Sequence, residues 1–187
     1  MKILNREIGP GDRPYLIAEM SGNHNQSLER ALEIVDAAAA HGADAIKLQT
    51  YTADTMTLNV RMPGFVIDDP KSLWVGRQRY ELYEEARTPW AWHQPMMERA
   101  AKHGVHCFST PFDFSAVDFL ESLNVPAYKI ASFENTDLPL IRRVAATGKP
   151  IIMSTGMATA GEIDEAVRAA REAGCQDLVL LKCTSTY

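Results

Sequence analysis

Residues 28–49 read LERALEIVDAAAAHGADAIKLQ, and this stretch contains the repeating unit of the fold. Apolar residues between Leu28 and Ala39 recur at intervals of three and four, which predicts a helix with one apolar face. Gly42 follows at the position where a helix commonly ends in a left-handed cap. The apolar run at 45–48 is too short for a helix and is typical of a strand buried on both faces. The unit is therefore a helix followed by a buried strand.

The same unit recurs along the chain. A second helical pattern precedes Gly174, and Thr159 and Glu162 have the spacing of a capping box at its start. Strands that alternate with helices through short links are parallel, with right-handed crossovers. Two α/β architectures fit this order, a doubly wound open sheet and an eightfold barrel. The predicted strands lie at 15–18, 45–48, 105–108, 127–131, 150–153 and 178–181.

Polar residues at the ends of the predicted strands favour the barrel. An eightfold barrel builds its site from the C-terminal ends of its strands, whereas an open sheet concentrates its site near one switch point. Here almost every predicted strand ends in a group able to do chemistry. We therefore predict a (β/α)8 TIM barrel. The groups are Glu19, Lys47, Gln49, Ser109, Thr110, Lys129, Ser132, Ser154, Thr155, Thr184 and Ser185.

The number of predicted strands is smaller than a barrel requires. Six are predicted, whereas a barrel needs eight and usually roughly 250 residues. The chain has 187 residues and stops just after the sixth predicted strand. We expect residues 1–187 to be the N-terminal part of a catalytic barrel, truncated after about six strands, of a longer gene product. The stretch 51–88 interrupts the alternation as a long insertion, and loops of that length are usually functional or disordered.

Composition excludes several classes of protein. A net charge of −5 argues against a nucleic-acid groove, which needs a clustered basic excess. The first eight residues lack the apolar segment of a signal peptide, and no run approaches the 18 residues that span a bilayer. We therefore expect a cytoplasmic protein. Cys107, Cys175 and Cys183 show no Cys-x-x-Cys spacing and are predicted to be reduced structural thiols.

Two lysines stand inside apolar runs, Lys47 in Ala-Ile-Lys-Leu-Gln and Lys129 in Tyr-Lys-Ile-Ala-Ser. An unpaired ammonium there would be costly, so each requires an anion or a carboxylate. One interpretation is a salt bridge to Glu19 or Glu134 that only closes the interior. Another is a cradle for phosphate and carboxylate groups of a ligand. A third is a Schiff-base aldolase, because a desolvated lysine can become a nucleophile.

Other residues give weaker signals. Glu19 could orient a hydroxyl or move a proton, or could only pair with Lys47. His24 and Asn25 could cap the first helix or line a site. The hydroxyls and backbone donors of 109–112 and 154–157 stand where helices begin, and such helix starts bind oxyanions. The other four histidines show no metal-ligand spacing. Trp74, Trp90 and Trp92 are expected to pack a loop.

These segments together resemble the sialic acid synthase family over the whole chain. Six ordered motifs, each at the end of a successive strand, make a chance match very improbable. They read Ala18-Glu19 with Asn23-His24-Asn25, Lys47-Leu48-Gln49, Ser109 to Phe112, Tyr128 to Glu134, Ser154 to Met157, and Cys183 to Tyr187.

The resemblance implies three different roles for the site residues. Phosphoenolpyruvate would be bound by Lys47, Thr110, Lys129, Ser132, Ser154 and Ser185. Glu19, Gln49 and Glu134 would be the catalytic residues that face the sugar or the reacting carbons. Asn23, His24 and Tyr187 would contact the sugar. Ser185 departs from the asparagine that is common in neuraminate synthases.

The resemblance also implies parts that lie beyond Tyr187. These are two further strands, the histidines that bind a divalent metal (manganese or magnesium), and a small antifreeze-like domain. In the family that domain reaches the site of the partner subunit, so a homodimer is expected. No metal ligands are expected within this chain, and the 187 residues alone are expected to be catalytically incompetent.

Within the family the long insertion is more similar to pseudaminic acid synthases than to N-acetylneuraminate synthases. It reads Ser72-Leu73-Trp74-Val75-Gly76-Arg77, then Tyr80-Glu81-Leu82-Tyr83 and Thr88-Pro89-Trp90. The implied reaction condenses phosphoenolpyruvate with an acetamido-deoxy hexose to a nine-carbon sugar acid and phosphate. An N-acetylneuraminate or legionaminate synthase is the near alternative. A Schiff-base aldolase and an inactive binding fragment are alternatives of other classes.

Overall fold

A computed structural model describes residues 1–184, in which six parallel strands form one sheet. The strands lie side by side in chain order, from β3 to β8, and the sheet curls into a half-barrel with helices outside. A doubly wound sheet would reverse its order at a switch point, so the barrel prediction is confirmed. Two short strands before the sheet, β1 Lys2–Ile3 and β2 Arg6–Glu7, pair only with each other among the described residues. The six strands of the sheet are β3 Ile17–Glu19, β4 Ala45–Thr50, β5 His106–Pro111, β6 Tyr128–Ile130, β7 Ile151–Ser154 and β8 Leu178–Leu181.

The helices follow the predicted pattern. The first spans Leu28–Ala40, and Gly42 behind it has φ +82°, as a left-handed cap requires. The last spans Ala160–Glu172, and the Thr159 side chain before it forms the predicted capping box with Glu162. The helices are α1 Leu28–Ala40, α2 Ala53–Met56, α3 Arg79–Ala86, α4 His93–Lys102, α5 Phe114–Ser122, α6 Leu138–Ala145 and α7 Ala160–Glu172.

Two features were not predicted. The chain opens with the hairpin β1–β2, whose two-residue strands are too short to show a period. The stretch 51–88 is not irregular throughout, because α2 and α3 lie within it. Helix α3 has no buried residue and its apolar side chains follow no helical face, so periodicity could not find it. The connection is held by edge-on contacts of Tyr51 with Tyr83 and with Phe112.

The interior of the half-barrel has a closed apolar floor, which we term the lower layer. It consists of Ala45, Phe108, Ala127 and Ile152, one from each of four adjacent strands or strand starts, and all are buried. Ile3 of the hairpin packs against them and is fully buried. The strand residues adjacent to these inward-facing ones point outward and pack on the helices. They include Ile46, Leu48, Tyr128, Ile130, Ile151 and Met153.

Candidate functional site

The polar residues of the interior stand one step above this floor. Side chains on a strand alternate between faces, so residues two apart share a face. Lys47, Thr110, Lys129 and Ser154 each follow a lower-layer residue by two positions. Glu19 joins them, because it is the register partner of Lys47. We term these five residues the upper layer, and they lie on the five neighbouring strands β3 to β7.

Lys47 and Glu19 form an ion pair across the first two strands of the sheet. Nζ of Lys47 lies 3.2 Å from Oε1 of Glu19. The lysine side chain is only 8% exposed, whereas the glutamate side chain is 58% exposed. The carboxylate therefore stabilises the buried ammonium while it presents its remaining surface to the open end of the half-barrel.

Lys129 has no carboxylate within salt-bridge distance among the residues described. Its ammonium donates to the Ile130 carbonyl at 2.8 Å and to Ser154 Oγ at 2.5 Å. Burial, and next the positive charge of Lys47, lower the pKa of Lys129 to about 8. Two neighbouring ammonium groups thus repel each other in a dry interior, and the arrangement favours an anion between them.

A thiol completes the hydroxyl cluster beside Lys129. The Cys183 thiol lies beside Ser154 and Ser132 and donates to the Leu181 carbonyl at 3.6 Å, and Ser132 Oγ accepts from the Gly156 N–H at 3.1 Å. Burial opposes ionisation of Cys183, but the neighbouring Ser154 and Ser132 hydroxyls and the Lys129 charge outweigh it and lower the pKa of the thiol. The prediction of a purely structural thiol missed this placement. Its position directly after a strand, beside Thr184, was the available signal.

Two buried polar atoms at the site have no hydrogen-bond partner among the described residues. They are Thr110 Oγ1, on a side chain that is 1% exposed, and Glu134 Oε2. Burial raises the pKa of Glu134, which the charge of Lys129 only partly offsets. Leaving such an atom unsatisfied costs roughly 1–3 kcal/mol, so each is a place where a ligand atom is expected.

Other predicted residues lie around this centre. Gln49 is the register partner of Thr110 and stands half-buried at the end of β4. Asn23 is exposed in the turn after β3, where its carbonyl accepts from Arg30. Thr155 donates to the Leu181 carbonyl at 3.1 Å, which joins the ends of β7 and β8. Ser185 and Tyr187 lie outside the described residues.

Three side chains are placed differently from the prediction. His24 is fully buried, with Nε2 3.1 Å from Thr88 Oγ1 and Nδ1 accepting from the Gln26 N–H, so it braces the turn and presents neither nitrogen to a ligand. Ser109 faces outward and bonds Thr50 Oγ1 at 2.6 Å. Trp74 is 53% exposed, so less than half of its surface can pack against the long connection. By contrast Trp90 stacks on Phe119, and Trp92 meets the edge of His24.

The remaining observations concern metals and membranes. Among residues 1–184 no three His, Cys, Asp or Glu side chains come together as a metal site would require. Within the same range no helix has the length and apolar character needed to cross a bilayer.

Most of the chain is similar to known proteins. The NeuB family model matches residues 34–187. The chain is 48% identical over 174 residues to pseudaminic acid synthase of Helicobacter pylori, covering 93% of the chain and 51% of that relative. It is 33% identical to N,N'-diacetyllegionaminic acid synthase of Campylobacter jejuni, covering 94% of the chain and 52% of that relative. The chain thus spans about half the length of the curated relatives it matches.

A solved structure shows the same architecture. The N-acetylneuraminic acid (sialic acid) synthetase of Leptospira borgpetersenii, crystallised with citrate, superimposes with a TM-score of 0.85 at 29% identity. The match covers the whole of this chain and 60% of that chain. The segment that the NeuB family model matches, residues 34–187, includes β4 to β8 and with them four of the five upper-layer residues. The chain therefore belongs to the NeuB family.

Proposed function

We propose that this chain is the phosphoenolpyruvate-binding part of a synthase that condenses phosphoenolpyruvate with an acetamido-deoxy hexose. The product would be a nine-carbon sugar acid, as in the pseudaminic acid synthases it is similar to. One observation carries the proposal. The ammonium groups of Lys47 and Lys129 repel each other in the buried upper layer, and no described carboxylate lies within salt-bridge distance of Lys129. A small dianionic ligand supplies the missing charge.

The upper layer suggests how that ligand is held. The lysines would bind its phosphate and carboxylate groups, and Thr110 Oγ1 would gain the hydrogen bond that it lacks. Ser132 and Ser154 would add hydroxyl donors beside Lys129. Charge-assisted hydrogen bonds of this kind are about twice as strong as neutral ones. Fixing both ends of phosphoenolpyruvate would leave its C3 carbon facing the open end of the half-barrel.

The reaction then requires a new carbon–carbon bond and the transfer of a proton to the sugar oxygen. C3 of phosphoenolpyruvate would attack the aldehyde carbon of the open-chain sugar, whose oxygen takes up a proton. Water would add to the cationic C2, and the bond from C2 to the phosphate oxygen would break. Glu134 is suited to carry the proton, because burial raises its pKa towards neutrality. Glu19 and Gln49, at the mouth of the site, would orient the sugar.

A divalent metal, manganese or magnesium, belongs to this proposal by resemblance. When bound it would polarise the sugar aldehyde. The described residues offer no cluster of three ligands for it, so its ligands would lie elsewhere in the protein. By the same resemblance we propose that the whole protein contains two more strands and an antifreeze-like domain, and acts as a cytoplasmic homodimer.

The proposal is tested on the intact gene product. It is incubated with phosphoenolpyruvate, manganese and either a 2,4-diacetamido-trideoxy hexose or N-acetylmannosamine, and phosphate release is followed. Release with the diacetamido sugar alone is expected. Release with N-acetylmannosamine would instead place the protein with the neuraminate synthases, and no release with either sugar would refute the synthase proposal.

A Schiff-base aldolase is the second candidate, because a buried lysine with a pKa of about 8 is partly neutral at neutral pH. The observed hydrogen bonds disfavour it, because the Ile130 carbonyl and Ser154 Oγ both accept hydrogen bonds from the Lys129 ammonium and so stabilise its charged form. Borohydride reduction in the presence of a keto acid separates the two. An aldolase would gain a covalent adduct at Lys129 by mass spectrometry, whereas the synthase would not.

A further inference from the structure

A cavity opens between the turn after β3 and the long connection, and we term it the side cavity. It has a volume of about 380 Å³, within the range of roughly 300–1,000 Å³ that is usual for small-molecule sites. Its walls come from the turn after β3, from the end of β4, and from the long connection with α3. They include Gly22, Tyr51, Trp74, Leu82, Tyr83 and Ala86.

The side cavity adjoins the candidate site through two strands. Gly22 follows Glu19 by three residues, and Tyr51 follows Gln49 by two. At about 3.3 Å per residue, each wall lies within roughly 10 Å of a residue predicted to face the sugar. Helix α3 comes close because residue 22 is glycine, since an added Cβ would stand 3.0 Å from the Ala86 carbonyl oxygen. A ligand held over the upper layer could therefore extend into the side cavity.

The chemistry of the walls suits a neutral ligand with apolar substituents. Aromatic rings of Tyr51, Trp74 and Tyr83 provide flat apolar surface, on which a sugar face can pack. Of the two charged residues at the rim, Glu85 is paired with Arg77 at 2.5 Å, and Arg79 donates to the Gly64 carbonyl.

One polar group faces this space without a protein partner. Tyr51 is 4% exposed, and its hydroxyl makes no hydrogen bond to any described residue. A tyrosine hydroxyl can both donate and accept a hydrogen bond, so a ligand carbonyl or hydroxyl in the side cavity would suit it. An acetamido group offers both a carbonyl acceptor and a methyl group, which matches one hydroxyl among aromatic walls.

We infer that the side cavity holds the acetamido- and methyl-bearing end of the sugar, while the aldehyde end stands over the upper layer. This rests on the proposed function and assigns substrate selectivity to Tyr51, Trp74 and Ala86. A sugar that carries hydroxyls in place of the distal acetamido and methyl groups leaves Tyr51 and the aromatic walls poorly matched. Selectivity is thus a property of the junction between the long connection and the turn after β3.

The test compares two tyrosine-to-phenylalanine variants of the intact gene product. Tyr51→Phe removes the hydroxyl in the side cavity. Tyr80→Phe removes a hydroxyl that bonds Asp54 outside it, as a matched control. We expect Tyr51→Phe to raise the KM for the diacetamido sugar about tenfold or more, with kcat and the KM for phosphoenolpyruvate little changed. Tyr80→Phe should match the wild type.

A filling variant gives an independent readout. Ala86→Phe occupies the side cavity, and Ala146→Phe places the same ring on an exposed position elsewhere. Ala86→Phe should raise the KM for the diacetamido sugar more than that for N-acetylmannosamine. Unchanged KM values in both Tyr51→Phe and Ala86→Phe, with phosphate still released, would overturn the inference but not the proposed function.

Loss of the proposed function would leave the inference testable by binding. If the wild type releases no phosphate, the diacetamido sugar is titrated against the 187-residue chain and tryptophan emission is followed. Saturable quenching that Trp74→Phe and Ala86→Phe both abolish would support the side cavity as a sugar site. Absence of quenching, or quenching that survives in Ala86→Phe, would refute it.

Discussion

The lower and upper layers of the half-barrel are built from the same strands and are two residues apart, yet their chemistry is opposite. The lower layer is apolar and closed by Ile3 of the hairpin. The upper layer holds two ammonium groups, one exposed carboxylate and hydroxyls without full hydrogen bonding. The lower layer therefore contributes stability, whereas the upper layer retains unfavourable charge that a ligand can relieve. A β/α barrel separates these tasks along its axis.

The largest expected effect is on the lower layer. Phe108 is fully buried there, and Phe108→Ala should lower the free energy of unfolding by about 3–5 kcal/mol. Denaturant unfolding of the 187-residue chain measures it. Phe133→Ala is the control, because Phe133 is 74% exposed and should change stability by less than about 0.5 kcal/mol. Equal changes in the free energy of unfolding for the two variants would mean that the lower layer is not packed as described.

Lys129→Met makes the converse change in the upper layer. It removes a buried ammonium, so the chain should be as stable as the wild type or more so. Binding of phosphoenolpyruvate should weaken roughly ten- to hundredfold, since a hydrogen bond to a charged group contributes about 1.5–3 kcal/mol. Calorimetry on the 187-residue chain gives both quantities. The exposed Lys102→Met should alter neither. Large destabilisation by Lys129→Met would assign the lysine a structural role instead.

The same lysine predicts a pH dependence. Burial and the Lys47 charge lower the pKa of Lys129 to about 8, whereas an unfolded lysine titrates near roughly 10.4. Between these values the unfolded chain binds more protons, so the free energy of unfolding rises with pH. The cost of the buried ammonium is present in full below pH 8. The stability gap between wild type and Lys129→Met should therefore close by about 1 kcal/mol per pH unit above that pH.

Unfolding curves at several pH values check this expectation. The comparison with Lys129→Met is needed because Tyr15, Tyr51 and Tyr128 also titrate at high pH, with pKa values that burial raises. Their contribution cancels in the difference. A gap that stays constant from pH 7 to pH 10 would show that the ammonium is not buried as described.

The smallest expected effect is on thiol reactivity. Cys183 should react with iodoacetamide several-fold faster than Cys107 or Cys175, because the neighbouring Ser154 and Ser132 hydroxyls and the Lys129 charge lower the pKa of its thiol. Burial raises the pKa of Cys107 to about 12 and also raises that of Cys175. Peptide mass spectrometry gives the order of labelling. Ser154→Ala should slow the labelling of Cys183, and phosphoenolpyruvate should protect it. Labelling of all three at one rate would contradict the site geometry.

Much of the fold followed from the sequence because the strands are regular and buried. The run predicted at 178–181 is the observed β8, and the other five strands shift by at most about three residues. The α1 and α7 boundaries followed from Gly42 and the Thr159 capping box. The hairpin and α3 did not, because neither has a repeating pattern of its own; both are held by contacts with distant segments.

The candidate site was predicted less completely than the fold. Lys47, Thr110, Lys129 and Ser154 were predicted from their position at strand ends, and the structure brings them onto one interior face. Ser109 and His24 satisfied similar criteria but face away or are enclosed. Ser109 and Thr110 are consecutive on a strand and therefore point to opposite faces of the sheet. An error of one residue in the predicted register would exchange which of them faces the interior. The partner of His24, Thr88, is 64 residues away in the chain.

The sequence by itself determined the order of strands and helices, the class of architecture and the list of groups able to bind an anion, because these depend on local periodicity and residue type. Only the tertiary structure decided which of these groups share the interior. It placed Cys183 beside Lys129 and left Thr110 Oγ1 and Glu134 Oε2 without partners. It also formed the side cavity, which brings Gly22 and Ala86 together from segments that are far apart in the chain. Such properties depend on distances between remote segments, which local patterns do not specify.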